Sequence, residues 1–524
     1  MIPAQKPKKR KTWKRLLLGL MIIAALYAGY RYWVVASYEQ ELAALLEQIY
    51  AEDPNWTWEQ RLEARNALKP EENGGIELVE LLKLTTLRET MVPKSEWARK
   101  YFDLWQKNDM EYFDTFLDQN PNAQLPSQVR NLIEPVLNME PMPGVLNRAR
   151  SLKRYQEGRI DHTYRTLLML SLLPDMQGTR AISNLLAYDA DLLADRKQAG
   201  PAIESIQGML GTARCLTHDP FMISLLVRCA IVNQACNKAA RLLALPLPLI
   251  SDQLKLLQDG FEQDQAQTQR LLIEVLSSER AVVDHDLEQL VQEKVSFSDI
   301  ARSSGLRLKF STGYAPLDQK LVNLFPEMLY GWGSRPGHFK QERVALLKFY
   351  TEGVRWSALP EHTLIPALET WKKTGPFLTL FLRQFHMWSV GNSYNAQPEI
   401  DSIEKLAHVY LRNRAILRAI IAAIACERYR LEKKSWPTSL EQLVPTYLKS
   451  APIDPYTAQP LFLKALPDGL VIYSVGKDGK DDGGDVLPGE VPAKDLGYRL
   501  WNPAQRGINM DEKYKEYLKK MKQQ

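Results

Sequence analysis

Cysteine is scarce in this 524-residue chain, and Cys215, Cys229, Cys236 and Cys426 show no C-x-x-C spacing. That leaves no zinc-ribbon or thioredoxin-type signature, and the four read as small buried apolar residues on helices. In an export compartment a disulfide between two of them stays open, with no pairing favoured. The seven histidines show no H-E-x-x-H or comparable ligand spacing, and G-x-S-x-G, Walker and dinucleotide-binding loops are absent. Ser402 and Lys405 match S-x-x-K, but no S-D-N or K-T-G accompanies them. Local motifs therefore give no catalytic assignment, while a triad assembled from distant residues stays open.

Acid is missing from the first fifteen residues, where Lys6, Lys8, Lys9, Arg10, Lys11, Lys14 and Arg15 are clustered. The whole chain carries a formal charge of +5, so this cluster accounts for the excess and the remainder is close to neutral. No basic surface is implied, and no nucleic-acid partner is expected. Behind the cluster runs LLLGLMIIAALYAGY, Leu16 to Tyr30, followed by Arg31, Tyr32 and Trp33. Basic lead, apolar run and aromatic end together predict a membrane anchor over residues 16–36, with residues 1–15 as a cytoplasmic tail. The alternative is a signal peptide cut after Ala36. Either reading sends the body out of the cytoplasm. The expected location is a bacterial cell membrane, single-pass, with a periplasmic body.

Hydrophobic content of 45% and charged content of 25% suit a folded body with ample core. Residues 37–160 read as successive helices, among them IELVELLKLTTL, punctuated by Pro-containing breaks. Residues 161–295 read as helical hairpins. One helix ends at Gly200, a second starts at Pro201, a third is capped by Asp219-Pro220, and a long charged one spans 263–295. The hairpins resemble tetratricopeptide pairs only in outline, because no second in-register copy follows. Residues 296–400 read as helices joined by long loops. On the long helix, Asp284-His285-Asp286 point in different directions and read as a solvated face rather than a metal site.

From Ile403 a further helix runs through EKLAHVYLRNRAILRAIIAAIACERYRLEKK, kept out of a bilayer by Arg412, Arg414, Arg418 and Arg428. PLFLKAL and GLVIYSV, separated by Pro467-Asp468-Gly469, give the one β-hairpin signal. Residues 491–524 read as a polar tail. The expected fold is mainly α, a helical-hairpin bundle or solenoid-like body. It carries one transmembrane helix and a small α+β domain over 401–490.

Directly behind the hairpin stands YSVGKDGKDDGGD, Tyr473 to Asp485. Closely spaced aspartates repel one another, and oxygen ligands on a Gly-rich turn suit Ca²⁺. An EF-hand fails, because Lys480 falls at position 3 and Gly489 at position 12. A solvated turn that binds nothing is the alternative.

From about Asn413 to Asp485 the chain resembles the globular part of the major pseudopilin of type II secretion systems. Trp436-Pro437-Thr438 stands for the family's Tyr-Pro-Thr, LEQLVPTYLKSAPIDPYTAQPL follows in order, and YSVGKDGK matches its Tyr-Ser-x-Gly-x-Asp-Gly turn. The resemblance implies a Ca²⁺ site, with Asp478, Asp481, Asp482 and Asp485 as side-chain ligands. The chain departs from the family at its N-terminus, where Ala24 replaces the expected Glu and almost four hundred residues intervene. The layout is similar to that of uncharacterised membrane-anchored proteins of planctomycete-type bacteria. The function so implied is structural or interactive, with a protein partner. An envelope enzyme with its site in 296–400, or an accessory of a secretion system, is the alternative.

Overall fold

The computed structural model describes residues 9–85, 96–106, 109–171, 173–292, 336–374, 397–487 and 494–522. Its helices are α1 (Lys9–Glu52), α2 (Trp58–Asn66), α3 (Gly74–Thr85), α4 (Glu96–Gln106), α5 (Asp109–Gln119), α6 (Ser127–Leu137) and α7 (Met142–Ser151). After these come α8 (Pro174–Asp195), α9 (Ala199–Arg214), α10 (Met222–Leu243), α11 (Ser251–Val291), α12 (Pro336–Ser357), α13 (Leu364–Thr374) and α14 (Gln397–Lys433). Strands β1 (Phe462–Leu466), β2 (Gly469–Ser474) and β3 (Leu496–Trp501) precede a last helix, α15 (Asp511–Met521).

The N-terminal expectation is overturned. Among the described residues no helix is long and apolar enough to cross a membrane. The apolar run of about 15 residues is short of the ~20 a span requires. It is not a separate element either, because α1 continues unbroken into EQELAALLEQIYAE. There Leu45 and Ile49 are buried with Val344 and Leu347 of α12, and Lys348 pairs with Glu41. The single-pass anchor over 16–36, the membrane contact through it, and the bacterial-membrane location with an extracytoplasmic body all rested on that span.

The body is built by helices whose small residues permit close approach. Ala187, Ala190, Ala202, Ala213, Ala235 and Ala239 are all buried where α8, α9 and α10 meet. Gly211 lies so close to the backbone after α7 that a Cβ would stand 2.3 Å from the Leu152 carbonyl carbon. Lys197, at φ 60°, breaks the chain between α8 and α9. That is three residues before the Gly200 boundary expected from sequence, and Pro201 falls in the first turn of α9. Helix α11 begins at Ser251, a dozen residues before the expected start.

Helix α14 is the axis of the molecule. From Ala415 to Cys426 its side chains are nearly all buried, and it packs on α10, α11, β2 and β3. Two of its arginines, Arg414 and Arg418, close on Glu361, at 2.6 and 2.7 Å. The sheet has the order β1-β2-β3, all antiparallel, with Leu466 opposite Gly469 across the expected hairpin turn. β2 is central and buried on both faces.

Of the residues after 490, those described, 494–522, are not a solvated tail. They supply β3 and α15, and Tyr514 of α15 is buried against Phe116 of α5. Arg506 joins Glu427 of α14 through two bonds of 2.8 and 2.9 Å, both groups buried. The sheet is thus bound into the helical core, and one continuous set of buried apolar residues runs through both.

Candidate functional site

The aspartates singled out in the sequence lie on the loop after β2. Asp478 is exposed and accepts a bond from the Lys480 N–H at 3.1 Å. Asp481 accepts from the Tyr473 hydroxyl and the Gly483 N–H, each at 2.8 Å. Asp482 takes Lys494 at 3.1 Å, and Asp485 is exposed. Each carboxylate with a described partner has its own, and the four do not turn on one point. Among the described residues no group of three or more His, Cys, Asp or Glu is gathered to hold a metal.

The residue that orders this loop is Asp495, which sequence reasoning missed. It is buried, and its carboxylate accepts the N–H groups of Gly484 (2.8 Å), Asp485 (3.2 Å) and Asp482 (3.5 Å). Burial raises its carboxyl above the ordinary range, against the pull of these donors. Gly484, at φ 83°, lets the loop fold over Val471 and Tyr473. Asp454 plays the same part before the sheet by accepting from the Tyr456 and Val475 N–H groups.

Two further sets of residues invite a catalytic reading. His162 Nε2 lies 2.5 Å from Asp219, and the Ser224 hydroxyl donates to the other Asp219 oxygen, also at 2.5 Å. The residue types are those of a hydrolase triad, but the order is wrong. Serine and histidine share one carboxylate, so the imidazole does not face the hydroxyl it would have to deprotonate. Asp219 therefore ties α10 to the preceding loop instead of capping a helix. In the second set, Asp284 pairs with Arg343, Asp286 accepts the Leu168 and Met169 N–H groups, and His285 faces Glu59. The three diverge as their spacing requires, but both aspartates are buried rather than solvated. The 296–400 region is described only over 336–374 and from 397, as helices packed on α11 and α1. The remainder of the expected enzyme region lies outside the described residues.

The cavity that gathers polar groups lies elsewhere, between α5, α10, α14 and β3. It has a volume of about 490 Å³, within the range of small-molecule sites. Its floor is an ion cluster. Lys238 and Arg241 of α10 both bond Asp191 of α8, at 2.7 and 3.0 Å, and all three are buried. Burial pulls the Lys238 ammonium down, but the charges of Asp191 and Asp114 outweigh it and hold the ammonium above its ordinary range. Asp114 lies 3.8 Å from Lys238, and burial raises its carboxyl.

Arg241 donates through Nη1 to the carbonyls of Pro121 and Ala123. Its Nη2 is buried and has no hydrogen-bond partner among the described residues. One turn after Asp114 stands Asp118, open to the cleft. Protein surrounds it on most sides, and that desolvation raises its carboxyl to about 6. Asn237 reaches Asp118 at 3.5 Å, and Asn237 in turn accepts from the Tyr498 hydroxyl of β3 at 2.8 Å. Arg412 of α14 also lines the cleft, is exposed, and has no ion pair or hydrogen bond among the described residues. Leu117, Ile416, Val486 and Leu487 complete the wall with apolar surface. No serine, threonine, cysteine or histidine is among the described lining residues.

No protein-family model matches the chain, and no curated protein or solved structure matches it either.

Proposed function

We propose that this is a recognition protein in which the C-terminal sheet closes a ligand cleft on a helical body, and that holding a small polar molecule there is its function. One observation carries the reading. Three charged groups on three separate helices converge on one cavity with binding capacity left over: the open Asp118 carboxylate, the open Arg412 guanidinium and the unmatched Nη2 of Arg241. A buried donor without a partner, as at Arg241 Nη2, costs stability, so a fold rarely leaves one beside two open charges unless a ligand completes it. Binding is the reading the lining supports, because open charges of both signs stand beside an apolar wall, the make-up of a site that holds and orients a polar ligand.

The likeness of residues 413–485 to the pseudopilin head belongs to the same proposal. It is supported by the succession of long helix, hairpin and Gly-Asp loop, and it offers an origin for the clasp, not for the ligand.

The test is a thermal-shift screen of the full chain against small polar metabolites at millimolar concentration. Compounds that occupy the cleft raise the melting temperature by ligand linkage, ~2.7 kcal/mol at a hundredfold excess over Kd, and lose that effect in Asp118→Asn. A screen without any stabilising compound, or hits that ignore Asp118→Asn, would count against the reading.

A further inference from the structure

The charges around the cleft specify more than that a ligand binds. Asp118 and Arg412 carry opposite charges, both face the cavity, and they do not form an ion pair with each other. Asp118 is contacted by Asn237, and Arg241 lies one turn further along the same helix. An anionic acceptor and a cationic donor are thus presented to one cavity, beside the apolar side chains of Leu117, Ile416 and Leu487. A neutral ligand would cover both charges and pair with neither. A simple anion or cation would satisfy one and repel the other.

We propose that the cleft takes a zwitterion of the α-amino-acid kind with an apolar side chain: its ammonium on Asp118, its carboxylate on Arg412 and Arg241 Nη2, and its side chain on the apolar wall. Charge-assisted bonds at both ends would then set orientation, and the wall would select side-chain size. This inference rests on the cleft being the functional site.

Isothermal titration of the full chain with L-leucine tests it, alongside N-acetyl-L-leucine and L-leucine methyl ester, each of which lacks one of the two charges. L-Leucine should bind the wild type, and each blocked form should bind at least ~10-fold more weakly, the scale of one lost charged hydrogen bond. Asp118→Asn should cease to distinguish leucine from the N-acetyl form, and Arg412→Gln, which leaves Arg241 Nη2 in place, should narrow the difference between leucine and the ester. Both positions are exposed, so both variants should fold. Equal binding of leucine by wild type and both variants would overturn the inference, as would no heat with leucine at about 10 mM, well above the Kd of a functional small-molecule site. If neutral compounds from the screen bind in an Asp118-dependent way while leucine does not, the inference fails and the recognition reading stands. If nothing binds, both fail.

Discussion

Asp264→Ala should destabilise the protein by roughly 3–5 kcal/mol, the scale for breaking a buried ion pair by removing one partner. Asp264 is fully buried on α11 and holds two arginines. Arg214 of α9 bonds one of its oxygens at 2.7 Å, and Arg228 of α10 the other at 2.7 Å. Both guanidinium groups are buried, and burial already holds Arg228 below its ordinary range. Arg214 would keep the Gly260 carbonyl, and Arg228 the Ala213 carbonyl, Thr217 and Gln267. Those neutral acceptors do not balance two buried positive charges. Urea unfolding measures the loss. Combining Asp264→Ala with Arg228→Met should recover part of it, because an apolar side chain of similar length carries no charge to strand. A single mutant within about 1 kcal/mol of wild type would mean the arginines reach solvent, contrary to their burial here.

Asp191→Ala should cost a similar amount, roughly 3–5 kcal/mol, and should also disable the cleft. Lys238 and Arg241 would be left with Asp114, which reaches only Lys238 and only at 3.8 Å. The Lys238 ammonium lies 5.9 Å from the Phe113 ring centre and 6.0 Å from that of Tyr188, so its surroundings are otherwise largely aromatic. With Asp191 gone, burial would pull the ammonium below its ordinary range, and Arg241 would lose the contact that fixes its Nε edge. Asp191→Asn, which keeps one acceptor, should fall between wild type and alanine. Urea unfolding read together with ligand titration separates this residue from Asp118. Loss at position 191 should appear in both readouts, whereas loss at 118 should appear in binding alone.

The helices were legible because their apolar periodicity is strong, and the hairpin because Pro467-Asp468-Gly469 stands between two short apolar runs. Boundaries moved where tertiary contacts overrode local signals. Asp219 was free to cap α10 by its sequence, but His162 and Ser224 claim its carboxylate, and Phe221 takes the N-cap position. The apolar run after the basic tail carries the composition of an anchor. Its continuation, which packs on α12, makes it the front part of one long mixed helix. The acidic loop drew attention because its charges are adjacent in sequence. The cleft had no such signal. Asp118 follows an ordinary amphipathic segment, Asn237 and Arg241 sit in an Ala-rich helix, and Arg412 is one arginine among several. Residues 114, 238, 412 and 498 are brought together only by the packing of α5, α10 and β3 around α14. Asp495 was hidden for the same reason: its meaning lies in three N–H groups some ten residues earlier.

Asp118 is the most direct point at which to test whether the cleft is kept for function rather than stability. A carboxyl raised to about 6 from an ordinary value near 3.9 disfavours the folded state once it ionises. The cost is absent below about pH 4 and fully present above about pH 6. Thermal melting of wild type and Asp118→Asn at pH 7 and pH 4 reads that cost, since other carboxyls shift both proteins alike. Because the group is open to solvent, the gain is expected to be about 1 kcal/mol or less. The variant should melt higher at pH 7, the difference should vanish at pH 4, and ligand binding should be lost. A variant that melts lower than wild type at pH 7 would show that Asp118 serves the fold, and would contradict the assignment of the cleft as a binding site.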